Sequence, residues 1–172
     1  MYKRQVKITG RYKELIIGAG GENIAPVPIE DNVKKLCSAV SNCMLVGDKR
    51  KFNVALITLK AKGATGELPG GDDLDGDALQ LAEGVTTISA AIKSDAVVAA
   101  VQNAILQTNA DGKCCPSNAS KIQKFTILKC DFSSSTDELT PTLKTKRSVV
   151  EKINSSVIDK MYASKEAYVP CE

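Results

Sequence analysis

Histidine is absent from this chain of 172 residues. Its absence excludes a Ser-His-Asp or Cys-His catalytic arrangement, the His-based zinc motifs and a histidine pH switch. Any chemistry must therefore use Lys, Arg, carboxylates, Ser, Thr, Cys or backbone amides.

Aromatic residues are also scarce: they make up 4% of the chain, and tryptophan is absent. Proteins that bind single-stranded nucleic acids stack the bases on aromatic side chains, so such a platform is not expected here. The net charge of +3 is too small to indicate a nucleic-acid-binding surface. We predict no nucleic-acid partner.

Long apolar runs are missing as well. No run approaches the ~20 apolar residues of a membrane-spanning helix, so we predict no transmembrane segment and leave peripheral membrane contact open. Residues 1–7 lack the apolar core of a signal peptide. Together with the cysteine pattern below, these features indicate a cytoplasmic protein, with a peripheral position on an internal membrane as the other option.

No metal site is predicted. The six cysteines include no C-x-x-C pair, and the adjacent Cys114 and Cys115 have a poor geometry for a routine disulfide. The acidic run at residues 72–77 is not a calcium loop. With Asp73 in its first position, Ala78 and Gly84 stand where the required Gly and Glu would be.

Hydrophobic residues make up 43% of the chain and charged residues 25%, which is typical of a single globular domain over residues 1–172. Alternation at residues 6–8 and 15–17, around the turn "GRYK", predicts an N-terminal two-stranded hairpin. Pro28 is predicted to open a helix, with Glu30 and Asp31 near its positive end. Its buried face is expected to comprise Ile29, Val33, Leu36, Cys37 and Val40.

Two apolar runs, residues 42–48 and 53–59, predict central strands that are covered on both faces. Residues 61–120 are interpreted as an insert made of a Gly- and Asp-rich loop and helical segments. Within it, Ser94 is predicted to cap a helix that ends near Gln107.

Residues 124–132 predict another strand, and residues 133–145 are polar and expected to be mobile. A final helix is predicted to bury one face, formed by Val149, Val150, Ile153, Val157 and Met161. The predicted fold class is α+β: a small mixed β-sheet flanked by helices, with the two-stranded hairpin at its N-terminus.

The glycine stretch "IIGAGGEN" suggests a phosphate-binding loop, but the signature fails. Asn23 stands where G-x-G-x-x-G needs its last glycine, and no G-x-x-x-x-G-K-[ST] loop is present. The remaining interpretations are a glycine turn before a helix, or a surface that another molecule approaches closely.

The stretch "TPTLKTKR" places Lys144, Lys146 and Arg147 at the start of the last predicted helix, where the helix dipole disfavours cations. An anionic partner nearby would explain them. The basic turn Lys49-Arg50-Lys51 is either a solvated turn or a phosphate contact.

Two of these stretches, in this order, resemble a known family. "ITGRYKELIIGAGGENIAPVPIED" is similar to the hinge motif of adenylate-forming acyl-CoA synthetases, and "LTPTLKTKR" is similar to their C-terminal lysine motif. "SNCMLVGDKRKFNVALITLK" and the insert before "KIQKFTILKCDFS" are similar to the bubblegum-type long-chain fatty acyl-CoA synthetases. The resemblance covers nearly the whole chain and is weakest at residues 61–120.

The resemblance implies the mobile C-terminal domain of a long-chain fatty acid–CoA ligase, cut at the domain boundary just before the hinge. Its partner would be the ligase's own N-terminal adenylation domain. The substrates would be a fatty acid, ATP with Mg²⁺, and CoA. The domain alone is expected to bind none of them and to be inactive.

The resemblance also implies roles for particular residues. Lys144 matches the catalytic lysine of adenylation, Lys13 the hinge and Arg11 a nucleotide contact. Gly20, Gly21, Glu22 and Asn23 match the loop beside the CoA channel, and Lys49, Arg50 and Lys51 become candidate contacts for CoA phosphates.

One position departs from the family pattern. Many relatives have glycine directly before the lysine, where this chain has Leu143, so Lys146 is the rival candidate for the catalytic role. The alternative to the ligase as a whole is a free-standing interaction or ligand-binding domain.

Overall fold

The computed structural model describes residues 15–171. The predicted strand at residues 6–8, the hinge candidate Lys13 and the nucleotide-contact candidate Arg11 lie outside the described residues. The predicted fold class is confirmed: the chain forms a small mixed sheet flanked by helices, with a separate two-stranded hairpin.

Two sheets are present among the described residues. Strands β1 (Ile16–Ile17) and β2 (Asn23–Ile24) pair antiparallel. Strands β3 (Val40–Val46), β4 (Asn53–Leu59) and β5 (Ile122–Ile127) form the second sheet in the order β3-β4-β5. The β3–β4 pair is antiparallel and the β4–β5 pair is parallel. Because β4 lies between the other two strands, β3 is an edge strand, whereas it was predicted to be central.

Five α-helices and one short 3₁₀ helix surround the sheet in the described part of the chain. The α-helices are α1 (Pro26–Leu36), α2 (Ile88–Ala91), α3 (Asp95–Ala110), α4 (Arg147–Ile153) and α5 (Ser155–Ala163); the 3₁₀ helix is Gly76–Gln80. None of the helices between residues 15 and 171 has the length and apolar character that a membrane crossing requires.

The three-stranded sheet separates two hydrophobic cores, as expected for strands that are covered on both faces. Alternate residues of β3 and β4 point to opposite sides, because side chains alternate along a strand. Leu45 and Ile57 belong to the core beneath α1 and α3, whereas Met44 and Leu56 belong to the core beneath α4 and α5. All of β4 is buried.

In the described residues the N-terminal hairpin is formed by β1 and β2, and the predicted pairing with residues 6–8 lies outside these residues. The strand predicted at residues 15–17 does form, as β1, but in the described residues its partner is β2, and the glycine stretch is the connecting loop. Gly18 accepts a hydrogen bond from Gly21 N at 2.8 Å, and Gly21 has a φ of +79°, a conformation that favours glycine.

Helix α1 begins two residues earlier than predicted, with Pro26 at its first position. Glu30 therefore lies in the second turn, is buried, and does not serve the helix dipole. Leu36 was predicted to be buried but is exposed, because the chain leaves the helix at Cys37. The predicted Ser94 cap is confirmed: its hydroxyl accepts from Val97 N, and α3 continues to Ala110.

The last predicted helix is in fact two helices. Asn154 ends α4 and precedes α5, and the change in direction leaves Ile153 exposed. Val150, Val157 and Met161 are buried as predicted.

Candidate functional site

Lys144 lies at the tip of a short β-hairpin between β5 and α4. Leu139 bridges to Thr145, and Thr140 N donates to Lys144 O at 2.8 Å. Leu143 N donates to Thr140 O at 2.8 Å, and Lys144 N donates to Thr140 Oγ1 at 3.0 Å. The backbone of this hairpin is therefore held on both sides of the lysine.

The turn chemistry explains the departure from the family pattern at Leu143. Pro141 occupies the second position of a four-residue turn, where its fixed φ is favourable. The residue after such a turn in a three-residue hairpin loop adopts a left-handed conformation, which glycine accepts best. Leu143 has a φ of +58°. The leucine therefore adopts the left-handed conformation that a glycine at this position would adopt.

Residues 133–139, part of the polar segment that was predicted to be mobile, make several contacts with the rest of the domain. Ser133 is fully buried and Leu139 is nearly so. Ser134 N donates to Gly66 O at 2.8 Å and Ser135 N donates to Glu67 O at 3.1 Å. Two stretches of residues 133–145 are exposed throughout: residues 135–137 and the hairpin tip at residues 141–144.

A cleft of about 410 Å³ lies between α1, β3 and this hairpin. Three of its lining residues are cations: Lys34, Lys144 and Arg147. Lys34 pairs with Asp31 at 3.0 Å, and Arg147 pairs with Glu30 at 2.7 Å. No ion pair among residues 15–171 involves Lys144, so it alone of the three presents an uncompensated charge to the cleft.

The rival candidate, Lys146, has a different environment. Its ammonium forms an ion pair with Asp137, and its backbone N–H donates to Glu138 O at 2.8 Å. The anionic partners expected for the basic cluster are thus supplied by the chain itself to Lys146 and Arg147. Of the two lysines, Lys144 is therefore the one without an ion pair among residues 15–171.

The cleft is also lined by Cys43, which is buried in the core. Burial raises its pKa well above the usual value, and the nearby Glu30 carboxylate adds to this effect. The thiol therefore stays protonated and unreactive, in contrast to the lowered pKa of a nucleophilic cysteine. Among the described residues, no group of three His, Cys, Asp or Glu side chains could hold a metal ion.

The glycine loop and the basic turn, far apart in sequence, are neighbours in the structure. Lys49 N donates to Ile17 O at 2.7 Å, and Ala19 N donates to Arg50 O at 3.0 Å. Gly20, Gly21, Glu22, Asn23, Lys49, Arg50 and Lys51 are all exposed. One surface therefore carries both sets of residues that the sequence assigned to CoA.

Arg50 is held in place on this surface. Its guanidinium lies 4.7 Å from the centre of the Tyr162 ring and 3.3 Å from Asp159. Tyr162 in turn donates from its hydroxyl to Phe52 O at 2.9 Å, and burial raises its pKa to about 12. Lys49 and Lys51 have no ion pair among residues 15–171.

A second cleft, of about 190 Å³, borders the glycine loop. Its walls include Glu22 and Asn23 on one side and Cys114 and Ser120 on the other. The Ser117 hydroxyl donates to the Glu22 carboxylate, so the 113–120 segment is tied to the glycine loop. No residue lines both this cleft and the Lys144 cleft.

Sequence reasoning thus identified both surfaces but missed two of their supports: the Glu30–Arg147 pair and the Ser117–Glu22 hydrogen bond. Neither leaves a sequence signal, since the partners are separated by 117 and 95 positions. The position of Glu30 inside α1, opposite the basic cluster, becomes visible only in the folded chain.

Comparison with known proteins identifies the class. Residues 13–70 match the family model described as the AMP-binding enzyme C-terminal domain. Solved adenylation domains share the fold: the A domain of the carboxylic acid reductase from Segniliparus rugosus, solved with AMP and a carboxylic acid, has a TM-score of 0.64 over 90% of this chain. That match covers 20% of the solved chain at 15% identity. Residues 13–70 therefore match the AMP-binding enzyme C-terminal domain family, and the fold of the chain is that of solved adenylation domains.

Curated relatives narrow the assignment. The long-chain-fatty-acid–CoA ligase ACSBG2 of Gallus gallus is 49% identical over 164 residues, which is 92% of this chain and 21% of the relative. The ligase ACSBG1 of Homo sapiens is 43% identical over 161 residues, or 90% of this chain and 22% of the relative. The predicted resemblance to bubblegum-type synthetases is confirmed, and the chain spans about a fifth of the length of these relatives.

Proposed function

We propose that this chain acts as the mobile C-terminal domain of a long-chain fatty acid–CoA ligase. In the first half-reaction, a fatty acid and Mg-ATP give an acyl-adenylate and pyrophosphate. In the second, the CoA thiol attacks the acyl carbonyl, AMP leaves, and the thioester forms. The domain rotates on its N-terminal adenylation domain between the two.

The observation that carries the proposal is the state of Lys144. It is an exposed lysine at the tip of a hydrogen-bonded hairpin, and it faces a cleft in which the other two cations are already paired with carboxylates. In adenylation, negative charge builds up on the carboxylate and α-phosphate oxygens. A positioned ammonium stabilises that charge in the transition state.

The glycine surface serves the second half-reaction. Gly20 and Gly21 have no heavy atom within 4 Å of the place where a Cβ would stand, so the backbone there is open to a thin ligand such as the pantetheine arm of CoA. Glu22 and Asn23 border the adjacent cleft. Lys49, Arg50 and Lys51, held against the same loop, are placed for the phosphates of CoA.

Two separate clefts suit a domain that presents one surface at a time. The Lys144 surface would face the active site during adenylation, and the glycine surface would face it during thioester formation. Lys13 as the hinge and Arg11 as a nucleotide contact complete the proposal, as does a cytoplasmic location with peripheral contact to an internal membrane.

The test uses the full-length ligase, with the half-reactions measured separately. Lys144→Ala should slow adenylate formation by about 10²–10³-fold, which is the typical loss when one group that stabilises transition-state charge is removed. Thioester formation from supplied acyl-adenylate should be nearly unchanged, because the lysine has then left the site. Lys144→Arg should restore little, since a planar guanidinium replaces a compact ammonium.

Lys146→Ala is the matched control, because it removes a lysine two residues away that is already paired with Asp137. If Lys146→Ala abolishes adenylation while Lys144→Ala does not, the catalytic role belongs to Lys146. Equal losses in both half-reactions for Lys144→Ala would contradict the two-surface proposal.

A further inference from the structure

We propose that Glu30 and Arg147 form a positioning pair that sets the location of Lys144 for adenylation. The inference rests on the proposed function above and adds two residues that touch no substrate in it. It is carried by the geometry of a single buried ion pair that connects α1, the edge of the sheet and the end of the lysine hairpin.

The pair has the geometry of a rigid connection. Arg147 Nη1 and Nη2 donate to Glu30 Oε1 and Oε2, both at 2.7 Å. Such a two-point contact between a guanidinium and a carboxylate fixes orientation as well as distance. The Glu30 side chain is 8% exposed and that of Arg147 20%, so solvent competes little for this contact.

The same two side chains occupy the open edge of the sheet. Leu45 N donates to Glu30 Oε1 at 2.6 Å, and Arg147 Nη1 donates to Leu45 O at 3.3 Å. Because β3 is the edge strand of the sheet formed by residues 15–171, these backbone groups have no neighbouring strand among those residues, and buried backbone groups need partners. The ion pair supplies the hydrogen bonds that a neighbouring strand would make, and these bonds fix the position of Arg147 relative to Leu45 of β3.

Because Lys144 lies only three residues before Arg147, a fixed position of Arg147 also restricts the position of Lys144. Arg147 is the first residue of α4, and the preceding residue, Lys146, closes the hairpin base through Glu138 O. The hairpin from Leu139 to Thr145 is then a short rigid arm anchored at that base. A shift of Arg147 displaces the lysine at its tip, and misplacement of a catalytic group by 1 Å can cost about a hundredfold in rate.

The pair is a positioning element and not a second charge for the substrate. Both guanidinium nitrogens that point toward α1 are taken up by the Glu30 carboxylate. The net charge that this pair presents to the cleft is close to zero, which leaves the stabilisation of anionic oxygens to Lys144.

The experiment uses the full-length ligase with two variants. Arg147→Lys keeps the positive charge but loses the two-point geometry. The double variant E30Q/R147M removes both charges, so that neither is left buried without a partner, which is the usual reason for unfolding in such cases. Gln at position 30 retains an acceptor for Leu45 N. Val101→Ala, in the core of α3 away from the cleft, is the control for general destabilisation.

Both variants should lower the kcat of adenylation by about tenfold to a hundredfold, with KM for ATP and fatty acid changed less than about twofold. Thioester formation from supplied acyl-adenylate should stay within about twofold of the parent. If Val101→Ala lowers the unfolding midpoint as much as the pair variants do, it should still leave both half-reactions unchanged. A general structural role of the pair would move both half-reactions together.

The inference is overturned if folded E30Q/R147M and Arg147→Lys enzymes adenylate normally, if both half-reactions fall equally, or if Val101→Ala reproduces the loss. Parallel measurement of Lys144→Ala separates this inference from the proposed function. If Lys144→Ala is impaired and the pair variants are not, only the positioning role fails. If Lys144→Ala adenylates normally, the proposed function itself fails.

Discussion

Three glycines of the 61–75 loop provide a graded test of how this loop supports the lysine hairpin. Gly63, Gly66 and Gly70 have nearly equal φ values of +78°, +80° and +78°. Replacing each with alanine therefore introduces the same backbone strain. What differs is the surrounding space at the new Cβ.

The structure gives the order of the three effects. At Gly63 the nearest heavy atom is 4.0 Å from the Cβ position, so only the shared backbone strain applies. Alanine also makes the unfolded chain less flexible, which offsets part of this strain and leaves a net destabilisation of about 1 kcal/mol. At Gly66 the Cβ would lie 2.7 Å from Leu143 Cδ2. The leucine is 54% exposed and can rotate, which adds about 1 kcal/mol.

At Gly70 the Cβ would lie 2.9 Å from the backbone nitrogen of Ala64 and 3.1 Å from Lys62 O. Backbone cannot rotate away as a side chain can, so the loop itself must shift. Overpacking of this kind adds roughly 2 kcal/mol. We therefore expect losses in the free energy of unfolding of about 1, 2 and 3 kcal/mol for Gly63→Ala, Gly66→Ala and Gly70→Ala.

Urea unfolding of the 172-residue chain measures the three losses, and backbone amide chemical shifts locate them. Gly66→Ala should move the amide signals of residues 140–145, whereas Gly63→Ala should not. Adding Leu143→Ala to Gly66→Ala should recover the extra loss. Equal losses for all three glycines, or unmoved hairpin signals in Gly66→Ala, would refute the contact between this loop and Leu143.

Two further predictions concern buried polar groups. Burial raises the pKa of the Glu138 carboxyl above its ordinary 4.5, so its contribution to stability is present below pH 4.5 and is lost as the pH rises through the raised value. Between about pH 4 and 7, the free energy of unfolding should therefore fall less in Glu138→Gln than in the parent. Urea titrations that give identical pH profiles for the two proteins would contradict this. Tyr162 donates to Val46 O at 3.2 Å and Phe52 O at 2.9 Å. Tyr162→Phe should destabilise the chain by about 1–2 kcal/mol, a loss that an unchanged thermal unfolding midpoint would disprove.

Local patterns in the sequence predicted the elements that depend on local physics. The apolar runs at residues 42–48 and 53–59 became β3 and β4, because seven consecutive residues that suit a buried strand leave few alternatives. Ser94 was predicted as a cap since its hydroxyl needs only the amide three residues later. At the lysine motif, Leu143 takes the left-handed conformation that glycine would otherwise supply, while the catalytic role of Lys144 stays a prediction.

Predictions failed where long-range packing decides. The edge position of β3 depended on β5 pairing with the far side of β4, and the break at Asn154 depended on where α4 and α5 meet the second core. Both choices are made by surfaces that are distant in the chain. Hydrophobic periodicity alone predicted that Ile153 is buried, whereas it is exposed in the packed helices.

By itself, the sequence indicated the resemblance to AMP-binding enzyme C-terminal domains, the α+β class and Lys144 as a candidate lysine, because these depend on contiguous motifs and short-range preferences. Only the tertiary structure decided which cations remain available. It paired Arg147 with Glu30 across 117 positions and Lys146 with Asp137, and it left Lys144 without an ion pair among residues 15–171. The reason is physical: a charge becomes compensated when folding brings an opposite charge within a few ångströms, and that distance is a property of the packed chain.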